Sequence, residues 1–218
     1  MLRCTSHGLG WLLTLFLALM FVGCRGPGAP SPTPARLALP LSDSFDAPGS
    51  RWLQDADTEA AQGYRDGRFF FQVLTADLLV WDNPGGNFQD FSLEVEARQV
   101  AGDAKNSYGV LVRYLDAANF YRFDLSGDGR FAVFKLENGE WITLVDWQAA
   151  AQIQPQGQVN RIQVTCQGAQ MAFFANGEPL VRLEDATLER GDVGLFASTF
   201  ASPPTEVEFD NLILRAIE

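Results

Sequence analysis

Four turn-forming dipeptides constrain this chain more than any other feature: Asp66-Gly67, Asp128-Gly129, Asn138-Gly139 and Asn176-Gly177. Asp-Gly and Asn-Gly accept positive φ at both central positions of a type I′ turn, the turn whose twist matches a β-hairpin. Between them lie short runs rich in aromatic and branched residues, and no stretch carries the 3.6-residue period of a helix. The runs predict strands at Phe69–Leu74, Leu78–Trp81, Phe91–Val100, Tyr108–Tyr114, Phe120–Leu125 and Phe131–Leu136. Further strands are predicted at Trp141–Trp147, Val159–Gln167, Met171–Ala175, Leu180–Leu183, Val193–Ser198 and Val207–Arg215. Short strands at this spacing, with no helices between them, make an all-β sandwich or barrel with mainly antiparallel sheets.

The middle hairpins predict a register. With Asp128-Gly129 as a two-residue turn, Leu125 faces Ala132, Phe123 faces Phe134 and Tyr121 faces Leu136. Pairing Leu115 with Phe120 brings Tyr114 to Tyr121 and Val112 to Phe123, and Asn138-Gly139 brings Leu136 to Trp141. One face is then apolar, as a core requires. The opposite face carries Arg113, Arg122, Asp124 and Lys135, and the same alternation in Phe91–Val100 sets Glu94, Glu96 and Arg98 against Leu93, Val95 and Ala97. Three cations across neighbouring strands, with Asp124 among them, read as a ligand-binding face. The simpler reading is cross-strand ion pairs on a solvated face, each contributing under about 1 kcal/mol.

The amino terminus has a different character. Arg3 precedes an apolar run from Leu9 to Val22, and Pro27, Pro30, Pro32, Pro34 and Pro40 follow among small residues. A basic start, a short apolar core and small residues before a cut describe a secretory signal. The run is short of the about 20 apolar residues a spanning helix needs. Phe21-Val22-Gly23-Cys24 resembles the lipobox of bacterial lipoproteins, which implies cleavage before Cys24 and acyl chains on its thiol and new amino terminus. The expected organisation is a signal over 1–23, a Pro-rich tether over 24–41 that holds the next domain off the membrane, and one folded domain over 42–218. The expected location is the bacterial cell envelope, anchored and outside the cytoplasm.

Charge and histidine exclude much chemistry. The whole chain carries a net charge of −11, and loss of residues 1–23 would remove Arg3 and no acid. Such a balance argues against nucleic acid and against docking on anionic lipid. The single histidine, His7, lies in the signal. A mature chain therefore has no Ser-His-Asp or Cys-His mechanism and no histidine-held zinc. Cys166 alternates with Ile162 and Val164, which places it in a core as an inert thiol.

The stretches "FSLEVEARQV", "SYGVLVRYLDAANFYRFDLSGDGRFAVFKLENGEW", "NRIQVTCQGAQMAFFANGEPL", "GDVGLFAST" and "VEFDNLIL" resemble the laminin-G-like and concanavalin A-like superfamily. Within it, the pattern is most similar to the branch of 3-keto-disaccharide hydrolase and family-16-like domains. The resemblance implies a jelly-roll sandwich of two curved antiparallel sheets, the last strand returning beside the first, with any ligand on the concave face or loop rim.

Function is weighed at residues. Glycoside hydrolysis needs two carboxyl groups about 5–10 Å apart. Family 16 hydrolases resemble this chain in placing acids on one strand face, as Glu-x-Asp-x-x-Glu; here Glu94 and Glu96 share a face, but Gln99 occupies the third position. They are the catalytic candidates, and Asp124 near Arg122 is a further conceivable acid without a partner. Laminin-G-like modules suggest rim calcium, but Asp82, Asn83 and Asp128 lie in turn sequences, so neither a metal nor a cofactor is expected. Tyr64, Trp141 and Trp147 read as core residues, and Trp81, before a glycine-rich loop, as the aromatic platform for a sugar. The reading is a surface lipoprotein whose non-catalytic module binds glycan or an extracellular partner protein. Trp81, Arg113, Arg122, Asp124 and Lys135 are its ligand-binding candidates and Cys24 its anchor. The alternatives are a carboxylate-dependent glycoside hydrolase and a structural cell-envelope interaction domain.

Overall fold

The computed structural model describes residues 2–4, 38–49, 51–200 and 202–217. Cys24 and most of the expected signal and tether lie outside the described residues. Among the described residues there is no helix. The strands are β1 (Leu2–Cys4), β2 (Leu41–Asp43), β3 (Asp55–Ala56), β4 (Ala60–Arg65), β5 (Arg68–Val73), β6 (Leu79–Asp82), β7 (Phe91–Gly102) and β8 (Ser107–Asp116). They continue as β9 (Asn119–Ser126), β10 (Arg130–Glu137), β11 (Glu140–Ala149), β12 (Asn160–Gln167), β13 (Gln170–Ala175), β14 (Glu178–Glu184), β15 (Asp192–Ser198) and β16 (Thr205–Ala216). Each strand expected from the sequence is present; β1 to β4 are additional.

Two antiparallel sheets form a jelly-roll sandwich. One has seven strands in the order β1-β6-β15-β8-β9-β10-β11, and the other has nine, ordered β14-β13-β12-β7-β16-β5-β4-β3 with β2 also paired to β16. The last strand thus lies beside the first strand of the folded body, Leu212 opposite Asp43. Strand alternation builds the core. In β7 the odd positions Phe91 to Gln99 are buried while Ser92, Glu94, Glu96 and Arg98 face outward. Phe123 of one sheet stacks on Phe173 of the other at 4.7 Å between ring centroids. Burying such a side chain contributes roughly 1.5–3 kcal/mol.

Three of the four turn dipeptides close two-residue hairpins with positive φ at both positions. Arg65 pairs with Arg68 around Asp66 (52°) and Gly67 (71°), and Asn138-Gly139 and Asn176-Gly177 behave alike. The fourth differs. At Asp128-Gly129 only Gly129 has positive φ, 81°, and Ser126 pairs with Arg130. Gly127 joins the turn, giving a three-residue loop, a type I turn closed by a left-handed glycine.

That extra residue shifts the β9–β10 register by one from the expected pairing. Phe123 faces Val133 rather than Phe134, and Tyr121 faces Lys135 rather than Leu136. A one-residue shift moves every side chain of a strand to the other face. Lys135 therefore leaves the outer face, while Phe134 and Leu136 join it. A bulge between Val112 and Asp116 removes Arg113 as well: Leu111, not Arg113, stands opposite Arg122, and Arg113 has a φ of 53°. The β10–β11 hairpin keeps the expected pairing of Leu136 with Trp141.

Candidate functional site

The outer face of the seven-stranded sheet carries a second, smaller apolar cluster, built from Leu79, Trp81, Leu111, Phe120, Leu136 and Phe196. Each occupies an outward position of its strand, the neighbours Val80, Val110, Val112, Tyr121 and Leu195 belonging to the main core. Beside this cluster, sharing Leu79 with it, lies a cavity of about 360 Å³. Its walls come from Leu79 of β6, Ser198 of β15, Arg122 of β9, Phe134 of β10, and Trp141 and Thr143 of β11, and Asp77, Thr199 and Phe200 close one side. Such volumes suit small ligands.

Arg122 organises the cavity. Its guanidinium lies 5.3, 5.1 and 5.0 Å from the ring centroids of Phe134, Trp141 and Phe196, within cation–π range. Nε and Nη2 bind both carboxylate oxygens of Asp124 at 2.7 and 2.6 Å, leaving Nη1 not engaged with that carboxylate. Asp124 is fully buried and Arg122 is 7% exposed. Burial pushes the Asp124 carboxyl above its usual range, although the Arg122 charge opposes the shift. The pair neutralises itself, which leaves the carboxylate of Asp77 as the unbalanced charge among the residues that line the cavity.

The aromatic surface differs from the expected one. Trp81, expected at the rim, is 0% exposed, packed against Tyr114 and Phe120. Trp141, expected in a core, is 48% exposed. It meets Phe120 and Phe134 edge-to-face at 5.8 and 6.4 Å. These contacts fix its orientation while leaving ring surface for a ligand.

The other site candidates separate. Arg113 donates to the carbonyls of Leu188 and Gly168. Lys135 donates to Asp185 at 3.0 Å and to Thr187 at 2.9 Å, and the Tyr121 hydroxyl donates to Asp185 at 2.8 Å. All three clamp the segment after β14, away from Arg122, because the slip and the bulge turn Lys135 and Arg113 off the outer face. Burial pushes the Tyr121 hydroxyl up, and its bond to Asp185 adds to this. Burial would raise Asp185 too, but the Thr187 hydroxyl and amide, with Lys135 and Tyr121, outweigh it and hold that carboxyl at about 2.

Glu94 and Glu96 face outward on the nine-stranded sheet, on the far side of the sandwich from the cavity. Glu94 accepts from Gln163 at 2.8 Å and lies 3.7 Å from Arg161; Glu96 accepts from Asn211 at 3.1 Å. Arg98 binds Glu208 at 2.6 Å in the same surface network. The turn carboxylates serve loops: Asp82 accepts from the Leu53 and Asn83 amides and from Gln62, and Asp128 accepts from the Ser126 hydroxyl. Among the described residues no group of three or more His, Cys, Asp or Glu could hold a metal. Cys166 is buried, and burial pushes its thiol up to about 12.

A two-sheet jelly roll with a hollowed, aromatic outer face is a concanavalin A-like sandwich, an architecture that hosts both sugar-binding modules and glycan-active enzymes. The chain belongs to the 3-keto-alpha-glucoside-1,2-lyase-like domain family, whose model matches residues 50–215. Among solved structures it is similar to the carbohydrate-binding module CBM66 from Bacillus subtilis, 16% identical, covering 80% of this chain and 95% of that one, with a TM-score of 0.53. It is also similar to the Bacillus licheniformis β-glucanase, 9% identical over 85% of this chain and 100% of the other, at a TM-score of 0.61. A third likeness is the GH43 protein BlXynB of Bacillus licheniformis, 17% identical, covering 81% of this chain and 39% of that one, at 0.58. No curated protein matches the chain. At these identities the structural likeness establishes the fold.

Proposed function

We propose that this protein is a glycan-binding module whose site is the Arg122–Trp141 cavity. One observation carries the reading: a 48% exposed tryptophan stands 5.1 Å from a buried, self-neutralised guanidinium at the wall of a sugar-sized hollow. The apolar face of a pyranose stacks on Trp141 and Phe134, and its hydroxyls meet Arg122 Nη1, Asp77, Thr143 and Ser198. Binding modules with this fold support the reading. We further propose that Cys24 is acylated and that residues 24–41 tether the module outside the cytoplasm, as the lipobox-like stretch suggests.

A second reading rests on the family. A 1,2-lyase acting on a 3-keto glucoside removes a proton from C2 and expels the C1 substituent. That chemistry needs one base and one group to stabilise an enolate, and Asp77 and Arg122 line the same cavity. Hydrolysis with two carboxylates fits less well, because Asp124 is committed to Arg122.

Titrating the purified full-length protein with a panel of neutral oligosaccharides, with and without Trp141→Ala, tests the binding reading. Binding that Trp141→Ala abolishes supports it; a variant that binds as the parent does ends it. Turnover of a 3-keto glucoside that Asp77→Asn abolishes would favour the lyase. Replacing Cys24 with serine moves an anchored protein into the soluble fraction.

A further inference from the structure

Phe200 faces two hollows. Besides the Arg122 cavity it lines a second one, of about 180 Å³, shared with Lys105, Ser126, Asp128, Arg130 and Trp147. The rings run through both without a break. Trp141 meets Phe134 at 6.4 Å, Phe134 meets Trp147 at 6.3 Å, and Trp147 meets Phe200 at 6.3 Å and 85°. A chain of sugar units could follow such a track, one ring stacking after another.

The two hollows differ in charge. The first has one cation, Arg122, already closed by Asp124, and the carboxylate of Asp77. The second holds two cations, Lys105 and Arg130, against the single carboxylate of Asp128, which already accepts from Ser126. Two cations together are unusual in a chain of net charge −11 whose only lysines are Lys105 and Lys135. Arg130 is also held in place: its Nη2 donates to the Trp147 carbonyl at 2.8 Å. The loop bearing Lys105 is tied to the three-residue turn by the Asp128 amide, which donates to the Ala104 carbonyl at 3.0 Å. Asn106, 1% exposed, accepts from the Phe200 amide at 3.0 Å and donates to the Ser202 carbonyl at 2.8 Å. It thereby fixes the divider between the hollows.

We infer that the sugar site continues past Phe200 into a second compartment that binds an anionic sugar unit, carrying a carboxylate or a sulfate, through Lys105 and Arg130. This rests on the glycan-binding reading of the first cavity. A charged group offered two cations gains charge-assisted hydrogen bonds that a neutral sugar does not, and the gain is screened by salt because both cations are exposed.

The test is calorimetry on the purified full-length protein at low and high salt. Gluco- and galacto-configured disaccharides are compared with counterparts whose terminal C6 is a carboxylate or a 6-O-sulfate. The anionic members should bind up to about tenfold tighter at low salt, the gain that two exposed ion pairs together supply, and lose most of that margin at high salt. Lys105→Met with Arg130→Met should abolish the margin without changing affinity for the neutral sugars or the melting temperature. The larger margin of the two tells a uronate from a sulfated sugar. If neutral sugars bind through Trp141 but anionic ones bind no tighter, or bind tighter irrespective of Lys105 and Arg130, the second compartment is refuted and the first stands. If no sugar binds, both fall.

Discussion

Arg122 and Asp124 stand two residues apart on the outer face of β9, joined by two hydrogen bonds of 2.7 and 2.6 Å under a roof of aromatic rings. Residues at i and i+2 of a strand project to the same side, so a single strand supplies a complete pair. Removing one partner strands the other. Asp124→Ala should therefore cost about 3–5 kcal/mol, the penalty of a buried unpaired charge. The double replacement Arg122→Met with Asp124→Leu should recover most of it, which urea unfolding of the three proteins will show. Equal instability of the single and double variants would contradict this account.

The two tryptophans should respond in opposite ways. Trp81→Ala empties a fully buried position and should destabilise the fold by about 3–5 kcal/mol. Trp141→Ala trims a ring that is nearly half exposed, so it should lower the melting temperature little while removing sugar affinity. Thermal melts and calorimetry on both variants check the contrast.

Asp192 gives the fold a pH dependence of unusual sign. Burial pushes its carboxyl up to about 6, despite amides of Gly85, Gly86 and Val193 that favour the charge, and the nearby Asp82 adds to the rise. A raised native value means the contribution is fully present below the unfolded value of about 3.9 and is lost as pH climbs through about 6. The difference amounts to roughly 2–3 kcal/mol. Asp192→Asn should flatten the stability curve between pH 4 and 7 relative to the parent, measured by denaturant midpoints across that range.

Asp185 should act in the other direction. Its native value is held at about 2, so its contribution is present above about pH 3.9 and disappears as pH falls toward 2. The parent should lose stability in that window. Asp185→Asn, already lacking the charge that holds Lys135 and Tyr121, should lose less there. A variant as acid-sensitive as the parent would show that the clamp after β14 owes nothing to this carboxylate.

Most of the architecture is legible in the residues. Alternation in Phe91–Val100 identifies the inward face of β7, and Asp66-Gly67, Asn138-Gly139 and Asn176-Gly177 close the hairpins they predict. These are local effects: the positive φ of an Asn-Gly turn and the period of two along a strand need no distant partner. The site is harder to read. Arg122 and Asp124 stand out as charges on an outward face, but Trp141 and Phe200 carry no mark that separates them from core aromatics. A ring in a strand is exposed or buried according to what lies across from it.

The sequence by itself therefore determined the class of fold, the strands from β5 onward and the inertness of Cys166, because each depends on local turn chemistry and alternation. Only the tertiary structure decided the face on which Phe134, Leu136 and Lys135 lie. Phe134 and its neighbour Val133 are both apolar, so hydrophobicity alone accepts either register across Gly127–Gly129. The choice falls to the three-residue turn and to Phe123 packing on Phe173 of the opposite sheet. The same holds for the divider at Phe200, which Asn106 secures from 94 residues away, a contact that no local rule anticipates.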